Sequence, residues 1–278
     1  MHKILQKLSM IFFIPFTVLS LLILGASFFT TIYYDIDQGA DLPRFGSEKY
    51  LLLLVGVLLF LLAAYFVGRV KPGKVLPVAL LLEAVVCLFI IFTSKAVAVT
   101  DGLTLDEIIN AFNAGDYSSL DKGGYMFVYP FQIGYVAIGQ IIGRVFGPSN
   151  YPVFQGINLA AILISFVYLN RTTKELFENE KVCSIFALLS FMMFFLFAYV
   201  TYVYNDVWSV APGIMAICYE ICYLKRHKIK DELLAALFLG VGCLLKTNLY
   251  IALIAMAINC SGDHGVVADN SGHADFYK

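Results

Sequence analysis

The chain has 278 residues, of which 60% are hydrophobic and 14% charged, and its mean hydropathy is +0.81. A soluble domain carries about 25% charged residues, so water is excluded as the solvent for most of this surface. The formal charge is −1, from 19 Lys and Arg against 20 Asp and Glu. No global basic field exists to gather nucleic acid, which is excluded as a partner.

A hydrocarbon core about 30 Å thick needs about 20 mostly apolar residues per helix. The first run that qualifies, 9–34, follows His2, Lys3 and Lys7 and is too long for the apolar core of a cleaved signal, so it is expected to stay as a signal anchor. Further strong runs cover 50–68, 76–98, 152–170, 182–204, 207–224 and 232–246, with a short apolar piece at 249–259. The expected fold is an all-α integral membrane protein, a polytopic bundle of about 7–8 transmembrane helices. Amphipathic juxtamembrane helices are expected in its first large outer loop. Three parts are expected: 1–75 as a two-helix extension, 76–259 as the transmembrane core, and 260–278 as a disordered polar tail.

The run 127–147 contains Tyr129, Pro130, Gln132, Tyr135, Gln140 and Arg144, a mixture suited to an interface. Short cytoplasmic loops carry the excess of Lys and Arg, which decides whether that run crosses. With the N-terminus inside, Asp35, Asp37, Asp41 and Glu48 fall outside, Arg69, Lys71 and Lys74 inside, and Asp101, Asp106, Glu107, Asp116 and Asp121 outside. If 127–147 lies on the outer surface or dips and returns, the clusters Arg171, Lys174, Lys181 and Lys225, Arg226, Lys228, Lys230 also fall inside; if it crosses, both fall outside. The expected location is therefore a multi-pass plasma-membrane protein with a cytoplasmic N-terminus. Its outer loop spans 99–150, within which Thr104 is expected to cap a short helix with Glu107 three residues on, turning Ile108, Ile109 and Phe112 to the membrane.

Asp101 follows the third run and Asp206 precedes the sixth, which puts both at one membrane level. Paired carboxylates at a bundle mouth suit proton abstraction from an acceptor, although acids also favour outer loops and helix N-termini without any chemistry. Lys246 ends an apolar helix, where a cation either stabilises a phosphate or snorkels to the interface. Glu83 is the one carboxylate well inside a strong run, and is read as a functional candidate or as a protonated or helix-paired acid. Tyr125, Tyr129, Tyr202, Tyr204 and Trp208 are expected as interface-belt residues, and the tyrosines also as rings that stack on sugars. Cys87, Cys183, Cys218, Cys222 and Cys243 read as packing residues, and with Cys260 they match no metal-ligand spacing. His264 and His273 sit in the polar tail at spacings that fit no ligand pattern.

The stretch TDGLTLDEIINAFNAGDYSSLDKGGYMFVYPFQIGYVAIGQIIGRVFG, followed by QGINLAAIL, TYVYNDVWSVAP and LLKTNLYIALIA, resembles polyprenol-linked glycosyltransferases of the GT-C superfamily, in its protein-mannosyltransferase-like bacterial branch. The likeness covers 76–259 and rests on the order of loosely matching motifs. It implies transfer of a sugar from a polyprenyl-phosphate carrier to a glycan, lipid or protein acceptor of the cell envelope, with inversion at the anomeric carbon. Asp101 is then the general base, Asp206 positions acceptor or sugar, Lys246 and Arg144 hold phosphate, and Tyr125 and Tyr129 line the sugar pocket. No tightly bound cofactor is expected, the lipid-linked sugar is the donor, and a divalent metal stays open. The 249–259 piece is too short to span, and family members usually carry more helices, so the chain is expected to be truncated at its C-terminus. A transporter or flippase using Glu83 and Lys246, and a non-catalytic membrane subunit, are the competing readings.

Overall fold

The computed structural model describes residues 2–34, 43–47, 49–191, 197 and 199–258. The acids expected at 35, 37, 41 and 48, Cys260, and the tail with His264 and His273 lie outside the described residues. The chain forms two compact units, 1–65 and 66–278.

In the first unit, α1 (His2–Phe29) runs 28 residues through an internal Pro15. At 1.5 Å per residue that is about 42 Å, more than a hydrocarbon core. The helix stops short of the expected 34 because Thr30–Tyr34, TTIYY, is β-branched and aromatic. These residues form β1, paired antiparallel with β2 (Pro43–Ser47), Thr30 opposite Ser47 and Tyr34 opposite Pro43. The apolar run 9–34 is thus a helix followed by a hairpin strand. α2 (Tyr50–Val67) then carries the chain to the second unit.

The second unit starts from α3 (Pro72–Ser94), whose Pro72 occupies the helix's first turn, where a missing N–H costs nothing. α4 (Asp101–Asn113) follows, then a one-turn α5 (Tyr125–Val128) and α6 (Ile133–Phe146). The segments 118–128 and 130–146 meet at a 100° bend. Next come α7 (Tyr151–Phe177), α8 (Glu180–Phe191), α9 (Asn205–Arg226), α10 (Ile229–Leu245) and an apolar helical stretch Thr247–Ile258. Among the described residues four helices are long and apolar enough to cross a membrane: α2, α3, α7 and α9, or five spans if the bent pair counts as one. α10, with 17 residues, falls just short of that length.

Two anchor points fix how the unit threads. At one end, the Gln155 amide on the first turns of α7 donates to the Ala96 carbonyl just past α3, at 3.0 Å. At the other, Lys71 and Gly73 from the start of α3, Lys174 from the end of α7 and Lys225 from the end of α9 line one cavity. The segment 97–150 therefore leaves the bundle and returns to it at the same end. α4 and α6 pack against each other there. A Cβ on Gly139 would meet Ile109 Cδ1 at 2.2 Å, and one on Gly143 would meet Asn113 Nδ2 at 2.7 Å, so two glycines four residues apart let these helices touch.

That packing corrects three expectations. Helix α4 starts at Asp101, and Thr100 occupies the cap position, so Thr104 does not cap and Glu107 is exposed. Ile108, Ile109 and Phe112 are buried inside the protein with Tyr135, Val136 and Phe154. Trp208 is no belt residue: it is 5% exposed, 4.8 Å from the Tyr135 ring and stacked 5.5 Å from Phe154. A second apolar cluster, with Cys87, Ile162, Phe166 and Val207, joins α3, α7 and α9 in mid-bundle. Glu83 is fully buried on α3 and accepts a hydrogen bond from Ser190 of α8 at 3.1 Å, the helix-paired alternative.

Candidate active site at the Asp101 end

Thr100 holds φ 51° and ψ −130°, a conformation that a β-branched residue adopts only under constraint. The constraint is steric and sits next door. A Cβ on Gly102 would lie 2.5 Å from the Val203 carbonyl oxygen, so the first turn of α4 is pressed against the turn 202–204. The kink at Thr100 lets the chain leave α3 and enter α4 at that contact, and it leaves the Asp101 side chain exposed at the helix N-terminus. The peptide N–H groups there favour a carboxylate.

Polar side chains of α7 hold the turn from beneath. Asn158, fully buried in α7, donates to the carbonyls of Val200 (3.0 Å) and Tyr202 (2.8 Å). Each bond satisfies a backbone carbonyl of the turn between α8 and α9. The turn carries Tyr202, Tyr204 and, at the start of α9, Asp206.

Asp206 Oδ1 pairs with Lys246 Nζ at 2.5 Å, and the same ammonium lies 5.0 Å from the centre of the Tyr204 ring. The Tyr202 phenol is pushed up by burial, with the Thr100 hydroxyl bonding against that shift and the charges of Asp206 and Asp101 adding to it. Both carboxylates thus act on one hydroxyl through their charge. The Tyr125 phenol is pushed up to about 12, chiefly by burial and next by the Asp101 carboxylate, to which its hydroxyl donates. Tyr129 packs on Tyr125 at 4.8 Å between ring centres. Asp101, Asp206, Lys246, Tyr125 and Tyr129 accordingly form one neighbourhood.

Arg144 is not brought to it. Its Nε donates to Asn113 Oδ1 at 3.0 Å, at the C-terminal end of α4. Twelve residues of helix separate Asn113 from Asp101, about 18 Å at 1.5 Å per residue.

Sequence reasoning passed over the groups that lock the neighbourhood. Gln132, 2% exposed, donates to the Tyr204 hydroxyl at 2.6 Å and accepts from Asn205 at 2.9 Å, while Asn205 also donates to the Leu245 carbonyl at 2.7 Å. This network ties the bend before α6 to the residues preceding both Asp206 and Lys246. The backbone is equally close: a Cβ on Gly134 would sit 1.9 Å from the Leu244 carbonyl oxygen. On the other flank Asp106, 4% exposed, accepts from Ser149 (2.6 Å) and Tyr151 (3.0 Å), which closes the loop onto α7. The available signal was a set of amides, Gln132, Gln155, Asn158 and Asn205, inside or beside apolar runs, where an unpaired amide is costly.

A family model described as dolichyl-phosphate-mannose-protein mannosyltransferase matches residues 133–265. No curated protein matches the chain, and no solved structure does. The matched stretch runs from α6 onward and contains Asp206 and Lys246, while Asp101, Tyr125 and Tyr129 precede it. Over residues 133–265 the chain is thus similar to the dolichyl-phosphate-mannose-protein mannosyltransferases, and its long apolar helices fit a multi-pass membrane protein.

Proposed function

We propose that the protein transfers a sugar from a polyprenyl-phosphate carrier to an acceptor hydroxyl at the extracytoplasmic face of the membrane, with inversion. The observation that carries this reading is that Asp101 and Asp206 both act by charge on the Tyr202 phenol, with Lys246 paired to Asp206 and lying over the Tyr204 ring. The exposed Asp101 carboxylate takes the proton of the acceptor hydroxyl as its oxygen attacks the anomeric carbon. The bond from that carbon to the phosphate oxygen breaks on the opposite face, and the carrier leaves as polyprenyl phosphate. Lys246 neutralises the departing phosphate, and Asp206 holds the ammonium in place until phosphate competes for it. Tyr125 orients Asp101 and, with Tyr129, offers ring faces to the sugar. Arg144 would serve the phosphate only through a long carrier or a movement of α6. The basic turns before α3, after α7 and after α9 converge at the other end of the bundle, which supports a cytoplasmic assignment for that end and an outer one for Asp101.

The reading is tested by placing the purified chain in proteoliposomes with labelled polyprenyl-phosphate mannose, or its glucose counterpart, and a membrane extract as acceptor source. Carrier-dependent appearance of label in acceptor, with the anomeric configuration inverted by NMR, is the expected result. Label that crosses the bilayer still attached to its carrier, without transfer, would instead favour a flippase.

A further inference from the structure

At the end of the bundle opposite Asp101, a cavity of about 790 Å³ opens between α3, α7, α8 and α9. Two of its cations are already engaged: Arg226 with Glu175, and Lys225 with Glu178 at 3.1 Å. Two others, Lys71 and Lys174, are exposed, and among the described residues no carboxylate lies within ion-pair distance of either. A neighbouring cavity of about 400 Å³ shares Lys71 and Glu180 with the first and adds Arg69 and Lys181. Lys71, Lys174 and Lys181 thus face Glu180 across the two cavities, a local surplus of positive charge among the described residues.

Next to this basic mouth lies a groove of a different kind. It encloses about 420 Å³ between α3 and α8 and is lined by Val75, Val78, Ala79, Leu82 and Leu188, with Lys74 as its one charged residue. Val70 lines both the groove and the smaller basic cavity, so the two adjoin. The junction is fixed, because Ser184 Oγ on α8 donates to the Val70 carbonyl at 2.7 Å. A charged mouth that leads into an apolar channel along a membrane helix matches one kind of molecule: an anion attached to a hydrocarbon chain.

We propose that this end of the protein binds an anionic glycerophospholipid of the surrounding bilayer, its phosphate held by Lys71 and Lys174 and one acyl chain lying along α3 and Leu188. Basic pockets between transmembrane helices at the cytoplasmic side recognise such headgroups through charge, and the chain adds apolar contact. The site is separate from the transfer chemistry: the 23 residues of α3 lie between Lys71 and the Asp101 end, about 35 Å of helix. The proposal stands independently of the transfer reaction.

The test is native mass spectrometry of the full chain released from micelles containing equal phosphatidylglycerol and phosphatidylcholine. Phosphatidylglycerol is expected to be retained over phosphatidylcholine by about tenfold, and Lys71→Gln with Lys174→Gln is expected to erase that preference. Lys228→Gln with Lys230→Gln, which alters basic residues at the same end but outside the cavities, leaves it intact. Val78→Trp, which fills the groove and keeps every charge, reduces retention as well. Equal retention of the two lipids by the unaltered chain, or equal loss in both lysine pairs, would overturn the proposal. So would glycerol 3-phosphate binding as tightly as the lipid, or polyprenyl phosphate displacing phosphatidylglycerol at equal concentration.

Discussion

The two ends of the bundle are polar in opposite ways. At the Asp101 end, the charges of the candidate site have fixed partners: Lys246 on Asp206 and Tyr125 on Asp101, with Asn158 and Asn205 donating to backbone carbonyls and Gln132 to the Tyr204 hydroxyl. At the Lys71 end, cations outnumber their partners and face an open cavity. A membrane protein tolerates both, but for different reasons. A buried amide is costly unless it is hydrogen-bonded, so the bonds that Gln132, Asn158 and Asn205 make tie the first end together. Exposed lysines at a headgroup surface need no fixed partner, so the second end can meet a general feature of the bilayer. The difference teaches where chemistry belongs: groups with fixed partners sit on the hydrogen-bonded network, and surplus charge sits away from it.

The sharpest way to break that contrast is to remove one cation from each end. Lys246→Met is expected to lower transfer by about 100-fold, because the leaving phosphate loses its counter-charge, while Lys174→Met leaves transfer unchanged. Thermal unfolding of Lys246→Met shifts little, by about 1 kcal/mol or less, since Asp206 is partly solvated in the pair. Initial-rate assays on both variants check this; equal losses would erase the distinction between the ends.

Rigidity at the Asp101 end has its own tests. Gly134→Ala drives a Cβ into the Leu244 carbonyl and is expected to cost about 3 kcal/mol, measured by denaturation in mixed micelles. Gly73→Ala, at the other end, meets nothing within 4 Å and is expected to be neutral. Gln132→Leu strands the Tyr204 hydroxyl and the Asn205 amide together, at about 2 kcal/mol.

The smallest effect concerns pH. The Tyr125 phenol titrates at about 12 in the folded protein against 10.0 for the free group, so between those values the unfolded chain has released a proton that the folded one keeps. Stability therefore falls as pH rises through that window and is unaffected below it. Tyr125→Phe flattens that part of the profile, which unfolding midpoints across the alkaline range would reveal.

Much of this plan is legible in residue type. Apolar length marks α2, α3, α7 and α9, and the basic turns alone lead to the expectation that 127–147 does not carry the chain across; the Gln155–Ala96 bond ties the two ends of the segment that contains it. The positions of Asp101, Asp206 and Lys246 relative to the spans lead to the expectation of one level, and the structure pairs Asp206 with Lys246. Other features hide from sequence because they depend on tertiary partners. Ile109 and Phe112 look suited to lipid, yet the glycine face of α6 claims them. Trp208 has the composition of a belt residue, yet Tyr135 and Phe154 enclose it. Thr30–Tyr34 extends an apolar run in composition, yet β-branching turns it into a strand. Arg144 lies in a motif that suggests phosphate, but helix length carries it to the far end of α4.

The central claim is that Asp101 removes the acceptor proton, and the most direct measurement is transfer by the Asp101→Asn protein under saturating donor. A general base contributes about 10²- to 10⁴-fold, so activity is expected to fall by at least about 100-fold while the fold, the Lys246–Asp206 pair and donor binding persist. An Asp101→Asn protein that transfers sugar at the unaltered rate would contradict the assignment and move the catalytic base elsewhere.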